Sequence, residues 1–250
     1  MIKQLVTELK SSQLNYNMAS ILHGVIMEHV TTEFGDKAHI AGTRDYSQNI
    51  RKNRDDKWIW TINTLDDEAG KNIIESISKL NEIELKSKEL IVPLENIKTV
   101  ETSFDELFER HYYGDKKPQR YINLRFVTPT AFKSEGKYVN IPTVRLIISS
   151  LMSKYDAIST ETTLKGYDTL EQITEQIEIS RYNLKSCQFQ LEGTKIPAFI
   201  GNVVLFVNGN TNLVSMVNML ADFGQYSGIG INSAIGMGAV KYNEERGDAG

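Results

Sequence analysis

Hydrophobic periodicity runs through one order of elements twice along this chain, and that repetition restricts its fold more than any other feature. "IKQLVTEL" (2–9) reads as a short strand, and Met18, Ile21, Leu22, Val25 and Ile26 recur at helical spacing over 17–30. "DKWIWTINTL" (56–65) alternates as a strand, with Trp58, Trp60 and Ile62 on one face. A helix follows over 67–80, opening on carboxylates where the helix dipole favours them, and strand-like segments lie near 82–92 and 95–103. The second half restarts with a strand at 120–127 and a helix at 141–156, with Pro142 in its first turn. After an acidic, polar connection (157–179) come two longer strands, 180–193 and 196–209, and an amphipathic helix over 210–224. That helix has an Asn or Thr cap and Gly224 as its stop; a glycine-rich loop and a last strand (239–243) close the chain.

Each half therefore reads β-α-β-β-α-β, which predicts an α+β protein of two ferredoxin-like (RRM-like) folds with antiparallel sheets. Helices would cover one face of each sheet and leave the other free to pack or bind. The division falls within 105–119, giving an N-terminal domain over 1–115 and a C-terminal domain over 116–250. At 250 residues the chain is long enough for two such cores.

Composition excludes several classes. A single cysteine, Cys187, rules out an internal disulfide and any paired-cysteine metal site, and fits a reducing cytoplasm. Four scattered histidines give no zinc spacing, so neither metal nor cofactor is expected. The start "MIKQLVTELKSSQ" has no apolar core of signal-peptide length, and no run is long enough to span a bilayer. A cytoplasmic protein without membrane contact is the expectation. The formal charge of −4 argues mildly against a nucleic-acid partner, yet between Pro118 and Ile148 five basic residues (Arg120, Arg125, Lys133, Lys137, Arg145) face only Glu135.

"FGQYSGIGINSAIGMGAV" (223–240) holds five of the 17 glycines. It follows a helix and precedes a strand, the reverse of a dinucleotide site, and it lacks the GKS or GKT of a P-loop. A tight turn accounts for one or two glycines. Gly228, Gly230, Gly236 and Gly238 in one loop suggest bare backbone that tracks phosphates by N–H donation. "TPTAFKSEGKYVNIP" (128–142) offers Lys133, Ser134 and Lys137 as a basic partner surface, and Arg145 and Lys241 extend it. Arg145, in an apolar helix, either snorkels to solvent or faces the bound strand.

"LHGVIME", "HIAGTRDYSQ", "FVTPTAFKSEGKYVNIPTVRLIISSLMSKY" and "FGQYSGIGINSAIGMGAVK" occur in that order. Together they resemble the CRISPR-associated repeat-processing endoribonucleases, the Cas-six family of the RAMP superfamily, and are most similar to the forms that accompany type III-A systems. The resemblance covers nearly the whole chain; the glycine-rich ending is the superfamily's signature loop, shared with non-cleaving RAMP proteins. It implies tandem ferredoxin-like folds, binding of a precursor CRISPR RNA repeat, and one metal-independent cut per repeat. Handover of the product to a type III-A effector complex is implied too, and a homodimer is a further expected partner. By position His39 matches the family's usual catalytic histidine, in a slot that often reads "LHE" and here reads "AHI". Where some members carry a catalytic tyrosine on the first helix, this sequence has Met27.

RNA supplies its own nucleophile, the 2′-OH. Histidine suits the proton transfers because its unperturbed pKa is about 6.5, and a nearby cation stabilises charge on phosphorus. Arg44, Arg51 and Lys52 follow His39, with Arg44 the first choice. His23, on the first helix, is a second candidate whose alternative is a structural role; His29 and His111 are read as structural. Tyr46, Ser47 and Gln48 fall in the strand after the catalytic loop, where they orient RNA or pack. The competing reading is a non-cleaving RAMP subunit that holds guide RNA in an effector complex. A small-molecule enzyme on the same fold is a third, with no paired carboxylates to recommend it.

Overall fold

The computed structural model describes residues 1–40, 45–159, 163–164, 167–191 and 193–243, without the side chains of 37–40 and 167–168. Strand β1 (Ile2–Leu9) leads through helices α1 (Ala19–His29) and α2 (Thr32–Ile40) to the hairpin β2 (Tyr46–Lys52) and β3 (Trp58–Thr64). A short helical stretch follows, α3 (Asp67–Ala69), a π-helical turn (Gly70–Ile74) and α4 (Glu75–Ile77), capped by the Asp66 carboxylate on the Ala69 amide. Next come β4 (Glu82–Leu85) and β5 (Leu90–Thr102). The sheet order β2-β3-β1-β5-β4, all antiparallel, is the ferredoxin-like order with β4 added at one edge.

The second half repeats it. Strand β6 (Tyr121–Thr130) is followed by a small hairpin, β7 (Phe132–Ser134) and β8 (Lys137–Val139), then α6 (Val144–Ile158) and α7 (Tyr167–Glu175). Strands β9 (Ile177–Leu191) and β10 (Thr194–Val207), helix α8 (Thr211–Ser227) and β11 (Val240–Tyr242) complete a four-stranded antiparallel sheet ordered β11-β6-β10-β9. The tandem ferredoxin-like architecture is thus present, with two cores. One buries Leu5, Ile50, Trp60 and Ile62 under Leu22, Ile26, Ile73 and Ile77; the other buries Leu124, Phe126, Val203 and Leu205 under Ile148, Leu151, Val217 and Leu220. Each such side chain contributes about 1.5–3 kcal/mol by leaving water. Among the described residues no helix is long and apolar enough to cross a membrane.

Several elements differ from the sequence expectation; helix α8 runs through Gly224, read as its stop, to Ser227, with Gly228 at its C-cap. Residues 32–40 are helical, so His39 is the penultimate residue of α2 rather than part of a loop. Residues 104–112 form α5 (Phe104–Tyr112), which buries Leu107 among the second half's apolar residues and closes its N-terminus with a reciprocal capping box, Ser103 to the Glu106 amide and Glu106 to the Ser103 amide. Within the stretch read as a polar connection, α7 lays Ile173 into the core, and β9 begins at Ile177.

Candidate functional site

The glycine-rich segment is buried, not spread over the surface. Gly228, Gly230, Gly236 and Gly238 all have positive φ (69°, 87°, 105° and 73°) and are buried. Their amides are engaged within the fold. Gly228 donates to Gly224 O, Gly230 to Ser150 Oγ, Gly236 to Ser233 O and Gly238 to Pro129 O, at 2.8–3.4 Å. Neighbouring amides do the same: Ile229 to Gly238 O, Ile231 to Ala131 O, and Ala239 to Thr128 Oγ1. The expectation of bare amides along phosphates is corrected accordingly, because the glycines serve close approach. A Cβ on Gly236 would run into the Ala19 side chain at the start of α1, and one on Gly230 into the Ala131 carbonyl. The loop is therefore the seam between the halves, set against α1 and β2.

Lys154, on α6, holds this seam. Its ammonium donates to Ser227 O (3.0 Å), Gly228 O (3.0 Å) and Ser233 Oγ (3.2 Å), with Ser150 one turn earlier on the same stripe. Burial pushes its pKa down to about 7. The unfolded chain therefore binds more protons than the native one between about pH 7 and the ordinary lysine range, and stability rises with pH there. Relative to Lys154→Met, which lacks this titration, the wild type should gain stability as pH rises from about 7 toward about 10. Thermal melts of both proteins across that range measure it; a constant difference would sink the assignment.

Against the seam lie α1 and the start of β2, with four of the residues singled out from the first half, His23, Tyr46, Ser47 and Gln48. His23, on α1, meets Tyr46, the first residue of β2: Tyr46 Oη and His23 Nδ1 are 2.6 Å apart and the rings stack at 17°. Gln48 Nε2 donates to Ala19 O (2.6 Å) while its Oε1 accepts from Trp60 Nε1 (2.9 Å), fixing the start of α1. Ser47, on the opposite face of the strand, donates to Tyr226 O at the end of α8. The backbone of His39 ends α2 a few residues before Tyr46; its side chain, and all of Arg44, lie outside the described residues.

The structure does not bring Lys52 to His23. It stands at the far end of β2, roughly 20 Å along the strand from Tyr46, paired with Asp56 at 2.6 Å and placed over the Trp58 ring. Lys133, Ser134 and Lys137 are exposed on the β7–β8 hairpin. Its two turn residues, Glu135 and Gly136, both have positive φ, the geometry that matches strand twist, and Phe132 anchors its base against Phe199. Arg145 reaches Glu171 of α7 at 3.8 Å, so its pairing is with a neighbouring helix. Lys241 lies across from Arg125 on the second sheet. His29 bonds its own helix at Val25 O.

Sequence reasoning missed a buried cluster. Asp222, on α8, accepts from Arg110 Nη1 and contacts His111 Nε2, both at 2.8 Å, and Gln225 Nε2 closes its other oxygen at 2.9 Å. Burial opposes ionisation, but His111 and Arg110 outweigh it and hold the carboxyl below the usual aspartate range. The signal was a lone acid inside the apolar run "VSMVNMLADFG".

Comparison with known proteins matches residues 124–240 to the family described as CRISPR-associated endoribonuclease Cas6. A Streptococcus thermophilus protein of that name is 30% identical over 230 residues, covering 92% of this chain and 93% of its own. A Mycobacterium tuberculosis protein of the same name is 28% identical over 226 residues, 88% of this chain and 70% of its own. Among solved structures, a Cas6 product complex superposes with a TM-score of 0.81 at 19% identity over 98% of this chain and all of that one. Thermus thermophilus Cas6 does so at 0.74, with 21% identity over 97% of this chain and 98% of its own.

Proposed function

This chain belongs to the CRISPR-associated endoribonuclease Cas6 family and is an RNA-cleaving enzyme, and from that premise we propose that it cuts precursor CRISPR RNA within its repeats without a metal ion. The observation that carries the reading is the meeting of α1, the start of β2 and the glycine seam at one junction, where His23 and Tyr46 are already hydrogen-bonded. In the reaction the 2′-OH loses its proton to a base and its oxygen bonds to the adjacent phosphorus. The bond from phosphorus to the 5′-oxygen breaks, and an acid protonates that oxygen. The products are a 2′,3′-cyclic phosphate and a 5′-OH. His39 is the proposed proton-transfer residue, Arg44 the cation for the phosphorane, and His23 a second acid–base group poised by Tyr46.

Lys133 and Lys137, with Ser134 between them on the projecting hairpin, are proposed to grip the repeat's phosphates; Lys241 and Arg145 are lesser candidates. Gly228, Gly230, Gly236 and Gly238 contribute by shaping the surface on which the RNA rests. The guide RNA would pass to a type III-A effector complex. The alternative of a non-cleaving guide-holding subunit gives way to the family assignment.

A repeat RNA with deoxyribose at the nucleotide before the cut should bind and remain whole, while the all-ribose RNA is cut equally well in EDTA. Cleavage of the deoxy-substituted RNA, or loss of cleavage on chelation, overturns the mechanism.

A further inference from the structure

The helices of the second half cover one face of its sheet; on the other, Phe189, Ile196 and Ala198 pack into the first half's core at the β9–β10 turn, and the end where β6 begins is open. The register places Tyr121, Asn123 and Arg125 of β6, Asn202, Val204 and Phe206 of β10, Arg181, Asn183 and Lys185 of β9, and Lys241 of β11 on that second face. Glu178, across from Phe206, is the one acid that the register adds. At the end where β6 begins, this face deepens into a cavity of about 900 Å³ whose rim carries Arg110, Lys116, Lys117 and Arg181. The wall is built, not loose: Asn218 Nδ2 holds Gln119 O, Tyr242 Oη holds Asn218 Oδ1, and the Asn123 amide donates to Asn243 Oδ1.

Its chemistry is that of an unpaired nucleic-acid strand. Tyr121 is 55% exposed and leans on Phe206 with 4.9 Å between centroids, an aromatic pair held ready for a base. Beside it stand the side-chain amides of Asn123, Asn183 and Asn202, none engaged with another described residue, which can donate to and accept from base edges. Arg181, Lys116 and Lys117, with no ion pair among the described residues, supply phosphate contacts. A duplex hides its bases and offers nothing to such a ring, whereas a single strand stacks on it.

We propose that this face is a platform for a single-stranded stretch of the RNA that the enzyme cuts, separate from the hairpin and the catalytic junction. It rests on the repeat-RNA reading above and deepens it. The cavity and the glycine seam, which meets β6 at Pro129, are roughly 27 Å apart along that strand. RNA held at both places would have its unpaired flank anchored well away from the scissile bond.

The test uses a fluorescent, unstructured oligouridylate of about ten nucleotides, which carries no repeat and needs no cleavage. The wild type should bind it. Tyr121→Ala should weaken binding about fivefold or more, and Arg181→Ala should flatten the slope of log affinity against log salt by about 0.7. Lys71→Ala, on the other half, should leave affinity unchanged. Absence of binding, equal affinity for a duplex of the same length, or affinities indifferent to both Tyr121→Ala and Arg181→Ala would overturn the platform. Failure of the wild type to cut a repeat, with oligouridylate still bound at this face, would instead sink the proposed cleavage reaction.

Discussion

His39→Ala should lower the single-turnover cleavage rate by roughly 10²–10⁴-fold, the contribution of a positioned acid–base group, while repeat binding stays close to wild type. Histidine is the group required because its ordinary pKa, about 6.5, lets it both take and return a proton near neutrality. Its backbone belongs to the last turn of α2, which ends six residues ahead of the start of β2 in sequence. The parallel experiment is His23→Ala. His23 is tied to Tyr46 Oη at 2.6 Å, so its loss should reduce the rate less if it only assists. A His39→Ala protein that cuts at normal speed, beside a His23→Ala protein that does not, would transfer the principal role to the His23–Tyr46 pair.

How much of this was legible follows from which interactions are local. The doubled β-α-β-β-α-β order was readable because its signal is periodicity within each element, as in Trp58, Trp60 and Ile62 facing one core. Helix α5 was equally local: "SFDE" is a capping box ahead of Phe104, Leu107 and His111, and it was read as a junction between halves. The glycine stretch was half legible. Its composition announced positive φ, but the direction of its amides depends on Thr128, Pro129, Ala131 and Ser150, some 80 to 110 residues away in sequence. No spacing rule reports such partners. Lys154 was passed over for the same reason, since nothing in its own helix points to the carbonyls of Ser227 and Gly228 that receive it. Lys52 shows the converse error: closeness to His39 in sequence suggested a shared site, and an extended strand carries seven residues to its other end.

Asp222→Ala should destabilise the protein by about 3 kcal/mol at neutral pH, in the lower part of the range for breaking a buried ion pair. The carboxylate is 5% exposed, and its loss leaves His111 Nε2 without its partner inside the fold; Arg110, half exposed, can turn to water, which limits the damage. The sign with pH follows from the depressed carboxyl. The stabilisation is complete above the ordinary aspartate range, near pH 4, and is lost as pH falls through the lower native value. The gap between wild type and variant, measured by urea unfolding, should therefore be full at pH 7 and narrow in stronger acid. A gap below about 1 kcal/mol at pH 7 would mean that packing of Leu107 and Phe104 alone holds α5 to α8. The consequence reaches the junction, because α8 ends at the Tyr226 carbonyl that receives Ser47 and at the Ser227 carbonyl that receives Lys154. A loosened α5–α8 contact should thus lower cleavage before it unfolds the chain, and urea well below the unfolding midpoint should inhibit the variant more than the wild type.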